Sequence, residues 1–165
     1  MRHIISILVE NEFGVLSRVV GLFSGRGFNI ESLNVAVTKD PKISRITIVT
    51  KGDDLIIEQI KKQLNKLINV IRVIDMNKIP SFVGRELALI RVNPVVNKRS
   101  EVINLVNVFR GKIISISKSG FIIEITGDEE KLGAFIELME PYGLTEIART
   151  GMLAMNRENK NRGGK

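Results

Sequence analysis

Two asparagines and one glycine near the start of the chain are the residues whose chemistry and spacing best suit binding of a small molecule. Gly14 lies between a polar loop and an amphipathic segment, and because it lacks a Cβ a ligand can approach the backbone closely. Free amides at the start of a helix favour an anion such as a carboxylate. The carboxamides of Asn11 and Asn29 can donate or accept hydrogen bonds, and branched apolar neighbours can line a slot.

Each of these residues also has an ordinary structural interpretation. A glycine between a strand and a helix is commonly only a turn, Asn11 could cap a helix, and Asn29 could mark the entry to a strand. Together, however, the open backbone at Gly14 and the neighbouring helix start suit a small anionic group such as a carboxylate. The set therefore favours capture of a small molecule over catalysis.

Residues for catalysis and metal binding are scarce. The sequence has no cysteine and one histidine, His3, which argues against thiol nucleophiles, catalytic triads and thiolate or imidazole metal sites. Short acidic clusters lie at predicted loop edges and helix starts, where negative charge suits the helix dipole. The Gly25-Arg26-Gly27 sequence follows a predicted helix instead of opening one, so it does not predict a dinucleotide site. We expect no catalytic residue, metal or cofactor in this chain.

Composition and charge bear on the class of partner. Apolar residues make up 44% of the 165 residues, which is enough for a buried core. The net charge is +7, but five basic residues and one acidic residue lie in the last 17 positions, and aromatic residues are only 5%. Stacking surfaces for bases are therefore hard to build, and we expect no nucleic-acid partner. No apolar run reaches the roughly 18 residues of a membrane span. We expect a soluble protein without a membrane partner, cytoplasmic or, if organelle-encoded, in the plastid stroma.

Apolar periodicity predicts the order strand, helix, strand, strand, helix, strand twice over. This is the order of the ferredoxin-like unit, so we predict an α+β fold of two tandem ferredoxin-like domains. The last strand is predicted over Leu144–Leu153. The predicted boundaries are a first domain over 1–78, a linker over 79–84, a second domain over 85–155 and a flexible basic tail over 156–165.

We expect self-association to stabilise these small domains. About 75 residues bury only a modest fraction of their surface. A four-stranded sheet with helices on one face also leaves its edges and other face uncovered. We therefore expect at least a homodimer.

One long segment resembles a known family. The sequence LVENEFGVLSRVVGLFSGRGFNIESLNV at Leu8–Val35, followed by SRITIVTKGDD, is similar to the N-terminal ACT domain of the small, regulatory subunit of acetohydroxyacid synthase, also called acetolactate synthase. The resemblance extends from Met1 to about Thr150, includes the FRGKI segment of the second half, and fades in the tail. The segment Asn11–Leu33 resembles this subunit more closely than other ACT proteins.

The resemblance implies a function. Small subunits of this family have no activity of their own. They bind the catalytic large subunit, which carries thiamine diphosphate, magnesium and FAD, raise its activity, and confer feedback inhibition by valine, sometimes by leucine or isoleucine. The effector lies between the ACT domains of two protomers. The resemblance places Asn11, Gly14, Val15 and Leu16 at the loop and helix start that face the effector, and Asn29 and Ile30 on the partner's strand.

Alternatives from other classes require other features. A stand-alone amino-acid sensor or RNA-binding module of tandem ferredoxin-like units is the main alternative, and binding to RNA would require exposed aromatic residues on central strands. The candidates are Phe82, Phe121 and Tyr142. An independent enzyme is disfavoured by the scarcity of nucleophiles and general bases. The size of the effector is also open, because Phe13 stands where a smaller or polar residue is expected and its ring could lean over the slot.

Overall fold

The computed structural model describes residues 1–157, which divide into two compact units. The first unit contains Met1–Val83 together with the described residues from Met152 onward, and the second contains Gly84–Gly151. The helices and strands of the first unit up to residue 75 are β1 (Arg2–Glu10), α1 (Val15–Ser24), β2 (Ile30–Val37), β3 (Ile43–Lys51), α2 (Asp54–Leu64) and β4 (Val70–Asp75).

The first unit is built on an antiparallel sheet with the strand order β2-β3-β1-β4. Alternate residues of β1, such as Ile5 and Ile7, point to the same face and are fully buried there. The apolar stripes of α1 and α2 pack on that face, so the two helices and the sheet enclose one core. The core residues are Ile5, Ile7, Val9, Val15, Val19, Leu22, Phe23, Ile46, Ile48, Ile57, Ile60 and Leu64.

The second unit repeats the same plan. Its elements are β5 (Phe82–Val92), α3 (Arg99–Val108), β6 (Lys112–Ile116), β7 (Phe121–Gly127), α4 (Glu129–Met139) and β8 (Leu144–Arg149). The strands are ordered β6-β7-β5-β8. The side chain of Asp128 accepts a hydrogen bond from the Lys131 amide at 2.9 Å and caps α4, as Asp53 caps α2 through the Ile56 amide. The prediction of two tandem ferredoxin-like domains is confirmed.

The end of the described chain differs from the prediction. The strand predicted over Leu144–Leu153 is two strands, β8 and β9 (Leu153–Asn156), separated by Gly151 with a φ of +78°. Such a backbone conformation is favoured by glycine and breaks the strand. Met152 and Ala154 are buried with Ile4 on the face of the first sheet opposite its helices.

Two predicted domain boundaries are therefore corrected. The sequence predicts residues 152–155 in the second domain, but they belong to the first unit because the side chains of Met152 and Ala154 pack on its open sheet face. The predicted linker over 79–84 is also not a separate segment, because β5 begins at Phe82. Of the predicted tail, Asn156 ends β9, the Arg157 amide donates to the Ser81 carbonyl, and residues 158–165 lie outside the described residues.

Candidate ligand-binding site

The loop between β1 and α1 leads through Gly14 into a helix start that no side chain caps. Gly14 has a φ of +81° and a ψ of −6°, and no atom lies within 4 Å of the position that a Cβ would take. The first turn of α1 contains no acidic residue and no side chain caps it. Since the first amides of a helix have no partner within the helix, this end can accept an anion. The glycine therefore opens the helix start as the sequence predicts.

The apolar residues around Gly14 divide into exposed and buried ones. Leu16 is 41% exposed and Phe13 is fully exposed, so both can contact a ligand or a partner. Val15 is only 3% exposed and belongs to the core of the first unit. Its side chain therefore does not line a slot on this surface. Helical spacing explains the difference, because Val15 shares the buried face with Val19.

Asn11 has a structural role within the protomer, through hydrogen bonds of its side chain and its backbone. Its carboxamide nitrogen donates to the Pro41 carbonyl at 2.9 Å, and its carboxamide oxygen accepts from the Ser44 hydroxyl at 3.0 Å. Its backbone amide donates to the Lys42 carbonyl at 2.7 Å. Asn11 therefore joins the β1–α1 loop to the turn between β2 and β3, and its carboxamide keeps one hydrogen and one lone pair for a ligand.

Asn29 and Ile30 lie at the beginning of β2. The Asn29 carbonyl accepts a hydrogen bond from the Thr50 hydroxyl at 2.6 Å, while its exposed carboxamide makes no recorded hydrogen bond within residues 1–157. Ile30 is half-buried against the core of the first unit. Next to them, Glu31 accepts hydrogen bonds from Lys51 and Arg2, and these two cations hold the pKa of Glu31 below its ordinary value, Lys51 with the larger effect. The local carboxylate is thus already paired.

The two halves of the predicted site do not meet within one protomer. Asn11 is bonded to Ser44 and Asn29 to Thr50, at opposite ends of β3. The six residue steps between those β3 positions span about 20 Å. Asn29 lies beside the outermost strand β2 of this sheet, so within one protomer it is far from the loop that contains Gly14.

One buried side chain near the loop was not singled out from the sequence. Asn69, which precedes β4, is 8% exposed, and its carboxamide contacts β1, the β1–α1 loop and α1. Its nitrogen donates to Glu10 at 2.7 Å and to Glu12 at 3.2 Å, and its oxygen accepts from Arg18 at 2.6 Å. The sequence gives no local signal for this role, because these partners lie more than 50 positions away.

Aromatic side chains of the second half do not form an exposed stacking surface. Phe121 is buried in the second core, and Phe82 is half-buried beside the cluster that contains Ile4. Tyr142 packs against the second core, and its hydroxyl donates to Glu101 at 3.0 Å. The observation weakens the alternative of an RNA-binding module, which needs exposed aromatic rings.

Comparisons with known proteins agree with this architecture. Residues 5–72 match the family model described as AHAS small subunit-like ACT domain, and residues 85–158 match the one described as small subunit of acetolactate synthase. A probable acetolactate synthase small subunit of Archaeoglobus fulgidus is 55% identical over 97% of this chain and 99% of its own length. The chain belongs to the family of acetolactate synthase small subunits. The prediction of this family, and of a subunit instead of a catalytic chain, is confirmed.

Other acetolactate synthase small subunits extend the agreement. The small subunit of Aquifex aeolicus is 49% identical over 95% of this chain and 82% of its own length. The crystal structure of the small subunit from Thermotoga maritima has a TM-score of 0.88 and 48% identity, and covers 96% of this chain and 99% of that one. The similarity of this chain to acetolactate synthase small subunits thus extends over both units. No helix within residues 1–157 is long and apolar enough to cross a membrane, and no three side chains of that range gather to hold a metal ion.

Proposed function

We propose that this chain is the regulatory subunit that activates an acetolactate synthase catalytic subunit and makes it sensitive to feedback inhibition by valine. The catalytic partner would carry thiamine diphosphate, magnesium and FAD, and this chain would carry no cofactor. The observation that supports the proposal is the placement of two complementary half-sites at opposite ends of the first sheet, beside β2, which has no second partner strand within residues 1–157.

A homodimer formed along β2 would complete the site. Two copies related by a two-fold axis and paired antiparallel through this strand place the Ile30 end of one strand against the Val37 end of the other. The Val37 end lies beside Ser44, to which Asn11 is bonded. Each dimer would therefore have two equivalent sites, each formed by the β1–α1 loop of one protomer and the β2 start of its partner.

The groups available at such a site match the chemistry of a branched-chain amino acid. Free amides near Gly14 donate to the carboxylate, and the carboxamides of Asn11 and Asn29 can accept from the ammonium group. Leu16 and Ile30 supply apolar walls for an aliphatic side chain. Phe13, the residue before Gly14, is fully exposed, so its ring is available to the side chain of an effector. Valine is proposed over leucine and isoleucine from the family resemblance.

Inhibition would operate through linkage. An effector changes the activity of the complex only if it binds one arrangement of the subunits more tightly than another. A coupling free energy of about 1–3 kcal/mol corresponds to a 5- to 150-fold change. Because the proposed ligand lies between protomers, valine would also stabilise the dimer.

Substitution of Gly14 tests the placement of the carboxylate. In a complex reconstituted with the catalytic subunit, Gly14→Asp is expected to weaken valine inhibition by at least about a hundredfold, since contact between like charges costs several kcal/mol. Gly14→Asn is the matched control, because it has the same size and a similar tolerance for positive φ but no charge. It should weaken inhibition by less than about tenfold.

The readout is the acetolactate formation rate as a function of valine concentration. Stimulation of the catalytic subunit in the absence of valine shows that each variant is folded and assembled. If valine inhibited the Gly14→Asp complex as strongly as the original complex, this placement of the valine carboxylate would be ruled out. A loss of equal size in both variants would assign the effect to bulk instead of charge.

A further inference from the structure

Asn69 connects three segments that surround the proposed effector site. Its backbone carbonyl accepts from the Glu10 amide at 2.9 Å, where β4 joins β1. Its carboxamide nitrogen donates to the carboxylates of Glu10 and Glu12, and its oxygen accepts from the Arg18 guanidinium of α1. A buried carboxamide with partners on both of its ends is held in one orientation, so it also restrains the segments that it contacts.

The charges around Asn69 make this restraint important. Glu10 and Glu12 both place an oxygen within hydrogen-bond distance of the same nitrogen, so two negative charges are held close together. Without a shared donor they repel each other, and Glu12 lies only two residues before Gly14. The loop would then move or disorder, and effector binding would have to supply the free energy that restores its conformation.

We propose that Asn69 is a positioning residue that holds the β1–α1 loop in its ligand-binding conformation by hydrogen-bonding the two carboxylates. Asn69 does not contact the effector at the proposed site. It acts through Glu10, Glu12 and Arg18, which fix the position of the backbone that leads to Gly14 and α1. The inference rests on the proposed function for its effector, but the order of the loop can be measured without any ligand.

The variant Asn69→Asp removes the donor function of the carboxamide and adds a negative charge beside Glu10 and Glu12. The new side chain has the same shape and still accepts from Arg18, but it replaces the donor to Glu10 and Glu12 with a third carboxylate. Valine binding to the isolated chain, measured by calorimetry, is expected to weaken by about tenfold or more, the range of a lost charge-assisted hydrogen bond. Amide hydrogen exchange of residues 11–17 should accelerate by a similar factor.

A donor–acceptor exchange separates this role from general destabilisation. In the double variant Asn69→Asp/Glu10→Gln, the glutamine amide can donate to the introduced carboxylate, and the total charge equals that of the original chain. This variant should recover most of the lost valine affinity and of the lost exchange protection. Asn77→Asp is the matched control. Asn77 likewise accepts at its oxygen, from the Ile4 amide, and donates from its nitrogen, to the Arg2 carbonyl, but it lies away from the loop.

The outcomes distinguish the two proposals. If the original chain binds valine and Asn69→Asp binds it equally well with unchanged loop exchange, the role of Asn69 is wrong. If the double variant does not recover valine affinity and exchange protection, and Asn77→Asp loses as much of both, Asn69 is ordinary structural support. The proposed positioning role is then wrong. If the original chain binds no valine, the effector proposal fails, and faster loop exchange in Asn69→Asp that is reversed in the double variant still supports the positioning role.

Discussion

Asn11 and Asn29 have the same side chain but different surroundings. The carboxamide of Asn11 is bonded at both ends to the turn between β2 and β3, whereas that of Asn29 makes no recorded hydrogen bond in the described part of the chain. A side chain that already has partners contributes to folding as well as to binding. An exposed polar group without partners in the protomer contributes little to stability and can be kept for a ligand.

Alanine substitutions should separate these contributions. Asn11→Ala removes two hydrogen bonds and is expected to lower the free energy of unfolding by about 1–2 kcal/mol. Asn29→Ala is expected to change it by less than about 0.5 kcal/mol. Both should weaken valine binding, as measured by calorimetry beside urea denaturation. If Asn29→Ala bound valine with the same affinity as the original chain, Asn29 would not be part of the binding site.

The edge strand β2 is the element on which the proposed dimer depends. An unpaired edge exposes backbone donors and acceptors that can pair with another strand. On the helix side of this edge, Val35 is 39% exposed although its β3 partner Ile46 belongs to the core, and Val37, beside Ser44, is 60% exposed. The other edge of the same sheet, β4, carries the exposed Ile71. A dimer along β4 would leave Asn29 far from the partner's loop.

Lysine substitutions on the two edges should show which of them pairs. Val35→Lys places a charge on each copy at the β2 edge, so we expect the dimer to dissociate at micromolar concentration and valine binding to be lost. Ile71→Lys, the control on β4, should leave the dimer and its valine binding unchanged. Sedimentation equilibrium and calorimetry provide the measurements. A Val35→Lys chain that stays dimeric would exclude β2 as the interface.

The elements were largely predictable from the sequence, whereas some of their partners were not. Apolar periodicity and the glycine at Gly14 are local signals, and the structure has the predicted order of strands and helices, with α1 beginning directly after Gly14. The burial of Val15 depends on how α1 rotates onto the sheet, and the contacts of Asn69 depend on distant segments. Neither property is determined by neighbouring residues, so a linear pattern does not contain it.

At the scale of the whole molecule, the described chain ends on its first unit. Residues that follow the second ferredoxin-like unit turn at Gly151 and form β9, which belongs to the first unit. Alternate residues of this segment, Met152 and Ala154, pack with Ile4, Val49 and Met76 on the open face of the first sheet. The first unit therefore completes its packing only when the end of the chain is present, which links its stability to residues more than 70 positions away.

Neighbouring residues of β9 allow this link to be tested. Ala154 is 4% exposed and Leu153 is 47% exposed, so the same substitution at each position meets opposite surroundings. Ala154→Asp buries an unpaired carboxylate and is expected to lower the free energy of unfolding of the first unit by about 3 kcal/mol or more. Leu153→Asp, with its side chain partly in solvent, should cost less than about 1 kcal/mol. Hydrogen exchange of β1 and β3 amides in increasing urea reports the first unit, and that of β5 and β7 amides reports the second. If Ala154→Asp lowered the protection of β1 and β3 no more than Leu153→Asp, the assignment of the last strand to the first unit would be wrong.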